Sequence, residues 1–201
     1  MIFMNNKNSN LAIGITVIFE IMLTITTILR ITLRQEQNLG QIILAGLCIT
    51  IPFIITYVTN KKKIFLPSNF QLISVLFIIL TLYFGEIKRF YVKFWWWDLF
   101  LHGLFGCYAV IIALNIIQGI IIKGKGTTEK RFIIFTLIFA FCFSITLGTL
   151  WEIFEFIGDY FFKTDMINGG LEDTASDLMI KILFAFITSI IWYFYKLNKK
   201  K

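Results

Sequence analysis

Residues 98–122 read DLFLHGLFGCYAVIIALNIIQGIII, a mostly apolar run whose ionisable groups are one acid, Asp98, and one histidine, His102. At ~1.5 Å rise per residue, a helix of this length crosses a hydrocarbon core of ~30 Å. Asp98 and His102 are four residues apart, so they share one helix face. An ionisable group in such a helix costs roughly 2.5–3.5 kcal/mol on insertion scales and marks a functional site by default. His102 is the only histidine in the chain.

The rest of the sequence follows the same pattern. It is 58% hydrophobic with a mean hydropathy of +0.80, well above the roughly 45–50% apolar content of soluble domains. Six spans are expected, at 11–33, 39–59, 69–85, 98–122, 132–158 and 174–195. The expected fold is an all-α polytopic membrane protein: a bundle of about six transmembrane helices forming one integral membrane domain over 1–201. Lys7 and the run after it mimic a signal peptide. The run is too long and TTILRITLR offers no small-x-small site, so an uncleaved first helix is expected. Cys48, Cys107 and Cys142 all lie within spans and lack paired spacing, which argues against disulfides and zinc thiolates. They read as small buried hydrophobes. The net charge of +7 sits mainly between helices, so it points to anionic lipid head groups, not to nucleic acid. Internal repeats, a Gly-rich phosphate loop and a Ser nucleophile motif are not found in the sequence. Its richness in Ile, Phe, Lys and Asn suggests an AT-rich bacterial genome.

Positive charges set the orientation. Lys7, Lys61, Lys62, Lys63, Lys123, Lys125, Lys130, Arg131, Lys196, Lys199, Lys200 and Lys201 fall on one side; Arg30, Arg34, Lys88, Arg89, Lys93 and Lys163 fall on the other. The excess places both termini in the cytoplasm, and the expected location is a bacterial plasma membrane. The run Trp95-Trp96-Trp97 then forms an outer aromatic belt at the entry of the fourth span. His102 lies ~6 Å deeper than Asp98.

Two further segments carry acids at the same depth. In LGTLWEIFEFIGD, Glu152, Glu155 and Asp159 form one stripe, and in GGLEDTASDLMIKILF, Asp173 and Asp177 repeat the four-residue spacing. Gly103, Gly106, Gly148 and Gly158 flank these stripes, and small residues let membrane helices approach closely. Carboxylates with one imidazole suit a divalent metal such as Zn, Mn or Mg, which would relieve the mutual repulsion of several buried carboxylates. With an open position, a bound metal polarises a phosphoryl or carbonyl oxygen, or activates water. The expected metal ligands are Asp98, His102, Glu152, Glu155 and Asp177. Glu152, Glu155 and His102 are the candidates for general acid or base, and Asp159 and Asp173 form the rim.

Each of these residues also has a plainer reading. Asp159 and Asp173 can be solvated at helix ends, with Asp173 acting as N-cap beside Thr174 and Ser176. Asp177 and Lys181 can pair along one helix. His102 can be a satisfied core histidine. Asp165 and Glu172 read as loop charges, and Asn168-Gly169-Gly170 as a turn. Glu20 is a lone acid within the first span, facing a cavity, a water pocket or a helix-interface hydroxyl. Lys88, Arg89 and Lys93 can meet substrate phosphate or lipid head groups.

The trio WDLFLHGLFG, WEIFEFIGD and EDTASDLMIKILFA resembles the bacterial YjdF-like membrane family and is more distantly similar to VanZ-like membrane proteins. The resemblance covers about residues 95–190. It carries over to Asp98, His102, Glu152, Glu155, Asp173 and Asp177. The VanZ-like pattern ends in an Asn and a Gly where this chain has Lys181 and Ala185. VanZ-like members are associated with glycopeptide-type antibiotic resistance, so the resemblance implies a fold more than an activity. The resulting expectation is an outward-facing, divalent-metal site acting on a lipid or lipid-linked envelope substrate. The alternatives are a proton- or cation-coupled transporter and a polar network that only fixes helix packing.

Overall fold

The computed structural model describes residues 6–33, 39–163, 166–167 and 170–198. The Lys7 side chain, Arg34, Asp165, Asn168, Gly169 and Lys199, Lys200 and Lys201 lie outside the described residues. Regular structure among the described residues is helical: α1 Asn6–Thr32, α2 Leu39–Cys48, α3 Ile51–Lys61, α4 Phe70–Ile78, a π-helical continuation Ile79–Ile87, α5 Phe90–Lys93, α6 Trp97–Ile120, α7 Glu129–Phe162 and α8 Leu171–Asn198. Six stretches are long and apolar enough to cross a membrane: Asn8–Thr32, Leu39–Lys61, Phe70–Ile87, Trp97–Ile120, Glu129–Phe162 and Leu171–Asn198. The expected all-helical, six-span fold is therefore observed. Large apolar side chains such as Ile18, Phe156 and Ile191 stand exposed along these helices. Water would penalise so continuous an apolar surface, whereas a bilayer covers it.

Several element boundaries differ from expectation. The second span is broken at Ile49-Thr50, because Pro52 lacks an N–H and its ring crowds the carbonyl four residues earlier, at Cys48, where α2 ends. The third span runs on to Ile87 through wider π turns, in which the Lys88 N–H reaches the Tyr83 carbonyl at 2.8 Å. Glu86, expected beyond the helix end at 85, is thereby drawn inside and buried. The fifth span extends at both ends, to Glu129 and Phe162. The last helix starts at Leu171, so Asp173 lies within its first turn and is not the N-cap. Gly170 leads into that turn at φ +62, a left-handed conformation that glycine adopts without steric cost. Its carbonyl accepts the Thr174 N–H at 3.1 Å.

The chain packs as two compact units. The first comprises Met1–Lys62, Ser68–Trp97 and Glu155–Met166. In it α1 packs on α2 and α4, α3 on α4, and α2 on the π segment. The Phe19 and Tyr83 rings meet edge to face at 5.7 Å. Gly40 lies so close to the end of α7 that a Cβ there would sit 2.6 Å from the Phe162 carbonyl oxygen.

The second unit comprises Lys63–Pro67, Asp98–Phe154 and Ile167–Lys201. Its core joins α6, α7 and α8 through Val110, Ala113, Leu114, Ile117, Ala140 and Ala185. Small residues set the spacing: a Cβ on Gly106 would lie 2.6 Å from the Lys181 carbonyl oxygen. Ser144 on α7 donates to the Gly106 carbonyl at 3.0 Å. Thr188 donates to Cys107 Sγ at 3.1 Å. The three cysteines are free thiols.

Candidate functional site

Three helices of the second unit bring their ionisable groups together. On α6, Asp98 Oδ1 lies 2.9 Å from His102 Nε2, the contact that the four-residue spacing predicts. From α8, Asp177 Oδ2 approaches the same nitrogen at 3.5 Å. From α7, Glu152 Oε1 stands 3.8 Å from His102 Nδ1, on the opposite edge of the ring. His102 and Asp177 are each only 2% exposed. Asp173, half-buried, offers a carboxylate oxygen to a second group with Asp98 and Asp177 whose donor atoms lie within 4.8 Å of one another. The set of His102, Glu152 and Asp177 meets the same limit.

Lys181 alters the electrostatics. Read along α8 alone, it pairs with Asp177 one turn earlier. In the structure its Nζ pairs with Glu152 on α7 and also donates to the Gly148 carbonyl at 3.3 Å. Lys181 is 2% exposed, and Gly148 makes room for its stem, since a Cβ there would touch the Lys181 Cδ at 3.0 Å. The i, i+4 pairing with Asp177 is therefore replaced by an interhelical one. The missed signal was Gly148 and Glu152 one turn apart, a gap followed by an acid, which accommodates a long cation from a neighbouring helix.

The two edges of the imidazole thus face different environments. Glu152 already has a protein cation. Asp98 and Asp177 lie against the other edge, with Asp173 grouped beside them, and Asp177 Oδ1 is buried with no hydrogen-bond partner among the described residues. A buried acceptor without a partner costs roughly 1–3 kcal/mol, more if charged. It marks a place where a proton, a water or a cation would be bound.

The remaining candidates have other settings. Glu155, one turn beyond Glu152 on α7, is buried and belongs to the first unit. So does Asp159, whose Oδ1 accepts the Met166 N–H at 2.9 Å and ties down the chain that leaves α7. Glu20 rests near Gly46 of α2, where a Cβ would lie 3.6 Å from its carboxylate. Lys88 lies over the Tyr83 ring at 5.4 Å and Lys93 over Phe90 at 5.9 Å. Glu86 escaped the sequence reading because the expected span stops at 85, two residues short of the helix end at Ile87.

A Thermotoga maritima protein named "Uncharacterized protein" is 26% identical over 142 residues, which are 71% of this chain and 69% of that relative. No solved structure matches significantly. The family model described as "Predicted membrane protein (DUF2238)" matches residues 15–198, a range that holds all six apolar spans except the first seven residues of the first and every ionisable group of the His102 cluster. The chain accordingly belongs to the DUF2238 family of predicted membrane proteins.

Proposed function

We propose that this is a multi-pass protein of the bacterial plasma membrane, with both termini in the cytoplasm, that binds a divalent cation beside His102 and uses it on a lipid-linked envelope substrate. The observation that carries the reading is the buried, unpartnered Asp177 Oδ1 beside an imidazole whose Nε2 already has two carboxylates within 3.5 Å. The donor set fits a single ion. Ligand distances of about 2.0–2.2 Å put neighbouring ligand atoms roughly 3.5 Å apart, close to the separations here. His102, Asp98 and Asp177 would hold the ion, with Asp173 at the outer edge and Glu152 behind the ring. A carboxylate behind a ligating histidine is the usual arrangement for fixing its tautomer. When bound, the ion supplies Lewis-acid polarisation of a phosphoryl or carbonyl oxygen. Lys181 holds Glu152 in place, and Glu152 in turn faces the Nδ1 edge of the imidazole. The positive-inside count supports an outward opening, toward the envelope side of the membrane.

One observation favours a second reading, a proton relay. Asp98, His102, Glu152 and Lys181 form a connected series of ionisable groups. Lys181 lies ten residues into α8, about 15 Å or half the hydrocarbon thickness.

Metal analysis of purified protein, supplied in turn with Zn, Mn and Mg, separates the readings. The metal reading expects about one tightly held ion per chain, lost in both Asp177→Asn and His102→Ala while each still folds. Absence of bound metal from the folded wild type under all three conditions rejects it. Proton flux into liposomes that wild type carries and that the still-folded double variant Lys181→Met, Glu152→Gln loses would move the assignment to transport.

A further inference from the structure

The first unit holds a polar cavity of about 220 Å³ lined by Gln41, Glu86, Arg89, Tyr91, Val92 and Lys163, with Gly85 at its wall. Its parts come from the start of α2, the end of the π segment and the residue after α7. Counting crossings puts these three span ends on one side of the membrane, the outer side by the charge rule. At ~30 Å³ per water the space equals about seven waters. That suits a head group and is too small for the larger ligands that typically occupy about 300–1,000 Å³.

Its two cations sit in an unusual backbone. Arg89 has φ 60 and Lys163 φ 54, the left-handed region that costs an ordinary residue roughly 1–2 kcal/mol and that helix ends usually fill with glycine. Lys63 makes a similar turn after α3, so the turn itself does not require these side chains. What glycine would not supply at 89 and 163 is a pair of positive charges on one cavity. Behind them lie acceptors. Gln41 is 8% exposed; its Nε2 donates to the Lys163 carbonyl at 3.2 Å, whereas its Oε1 has no hydrogen-bond partner among the described residues. Glu86 adds a buried carboxylate.

From this arrangement we infer that the cavity binds a phosphate group that also carries a hydrogen-bond donor, the chemistry of a glycerophosphate or an amino-alcohol phosphate. The phosphate meets Arg89 and Lys163, where an Arg can bind two oxygens at once. The hydroxyl or ammonium of the same ligand satisfies Gln41 Oε1. With two cations against one carboxylate, the wall keeps a net positive charge for the anion. A lipid head group and a soluble phosphate ester share this chemistry. The inference uses no residue of the His102 cluster and is independent of the function proposed above.

The test uses the full chain in detergent, as wild type and as the double variant Arg89→Gly, Lys163→Gly. Glycine relieves both left-handed residues, so the variant is expected to unfold at the same temperature as wild type or higher while losing the ligand. Native mass spectrometry reads retention of added phosphatidylglycerol against diacylglycerol, which lacks the phosphate. A thermal-shift titration with glycerol 3-phosphate reads the soluble form. Wild type is expected to retain phosphatidylglycerol at least tenfold better than diacylglycerol, and the double variant to lose that preference. A shift with glycerol 3-phosphate, absent in the variant, would support the site with a soluble ligand as its source. Equal retention of the two lipids by wild type with no glycerol 3-phosphate shift, or equal phosphate binding by wild type and variant, overturns the site. Should the double glycine variant fail to fold, Arg89→Gln and Lys163→Gln read separately carry the same two outcomes.

Discussion

The His102 cluster and the Gln41 cavity are both polar inclusions in apolar helices, and they are built in opposite ways. The cluster is a solid arrangement: three helices press ionisable side chains against one another, and its principal cation, Lys181, is buried and paired with Glu152. The cavity is open: its cations Arg89 and Lys163 are exposed, and its buried groups are acceptors. A charge inside a span must be neutralised by a protein partner or a tightly held ion, because desolvating it alone costs several kcal/mol. At a span end, water and head groups provide that neutralisation. Burial depth accounts for the different construction.

Removing the interior cation is the most severe way to break this contrast. Lys181→Met should destabilise the protein by ~3–5 kcal/mol, since it strands Glu152 in the core. Adding Glu152→Gln in the same chain should restore most of the loss. Unfolding in mixed micelles measures both, and a single-variant cost under ~1 kcal/mol would mean that the pair is not what holds the cluster. Next in size is Gly106→Ala, expected to cost ~1–3 kcal/mol because the new methyl meets the Lys181 backbone and not a movable side chain. Gly14→Ala is its control: nothing lies within 4 Å of the added methyl, so a gain of up to ~1 kcal/mol is expected from helix propensity. Ser144→Ala should cost ~0.5–1.5 kcal/mol for one buried hydrogen bond. The smallest effect has the opposite sign: Arg89→Gly should raise stability by up to ~1 kcal/mol by relieving its left-handed backbone. A loss there would show that the guanidinium serves the fold itself, and the two inclusions would then be less different than their construction suggests.

Much of this was legible along the chain. Hydropathy over windows of helix length gives the six spans directly, because bilayer thickness fixes how many apolar residues a crossing needs. The Asp98–His102 contact follows from one helix's own geometry, as four residues make about one turn. Pro52 carries a local signal for the break of the second span, its missing N–H and its ring, but hydropathy reads the apolar run 39–59 straight through it. The π turns that carry Glu86 inside left no such signature: GEIKR looks like a helix end in charge and composition, and only the continued backbone pattern buries the acid.

By itself, then, the sequence determined membrane class, the number of spans and which residues share a face, since each depends on a length or a period along one helix. Tertiary structure decided which faces meet. It paired Lys181 of α8 with Glu152 of α7, left Asp177 Oδ1 without a hydrogen-bond partner among the described residues beside His102, and gathered Gln41, Glu86, Arg89 and Lys163 from three separate segments around one cavity. Such choices depend on close approach between helices, at Gly106 and Gly148 above all. A helical period specifies direction around one axis but carries no information about the neighbour that the direction will find.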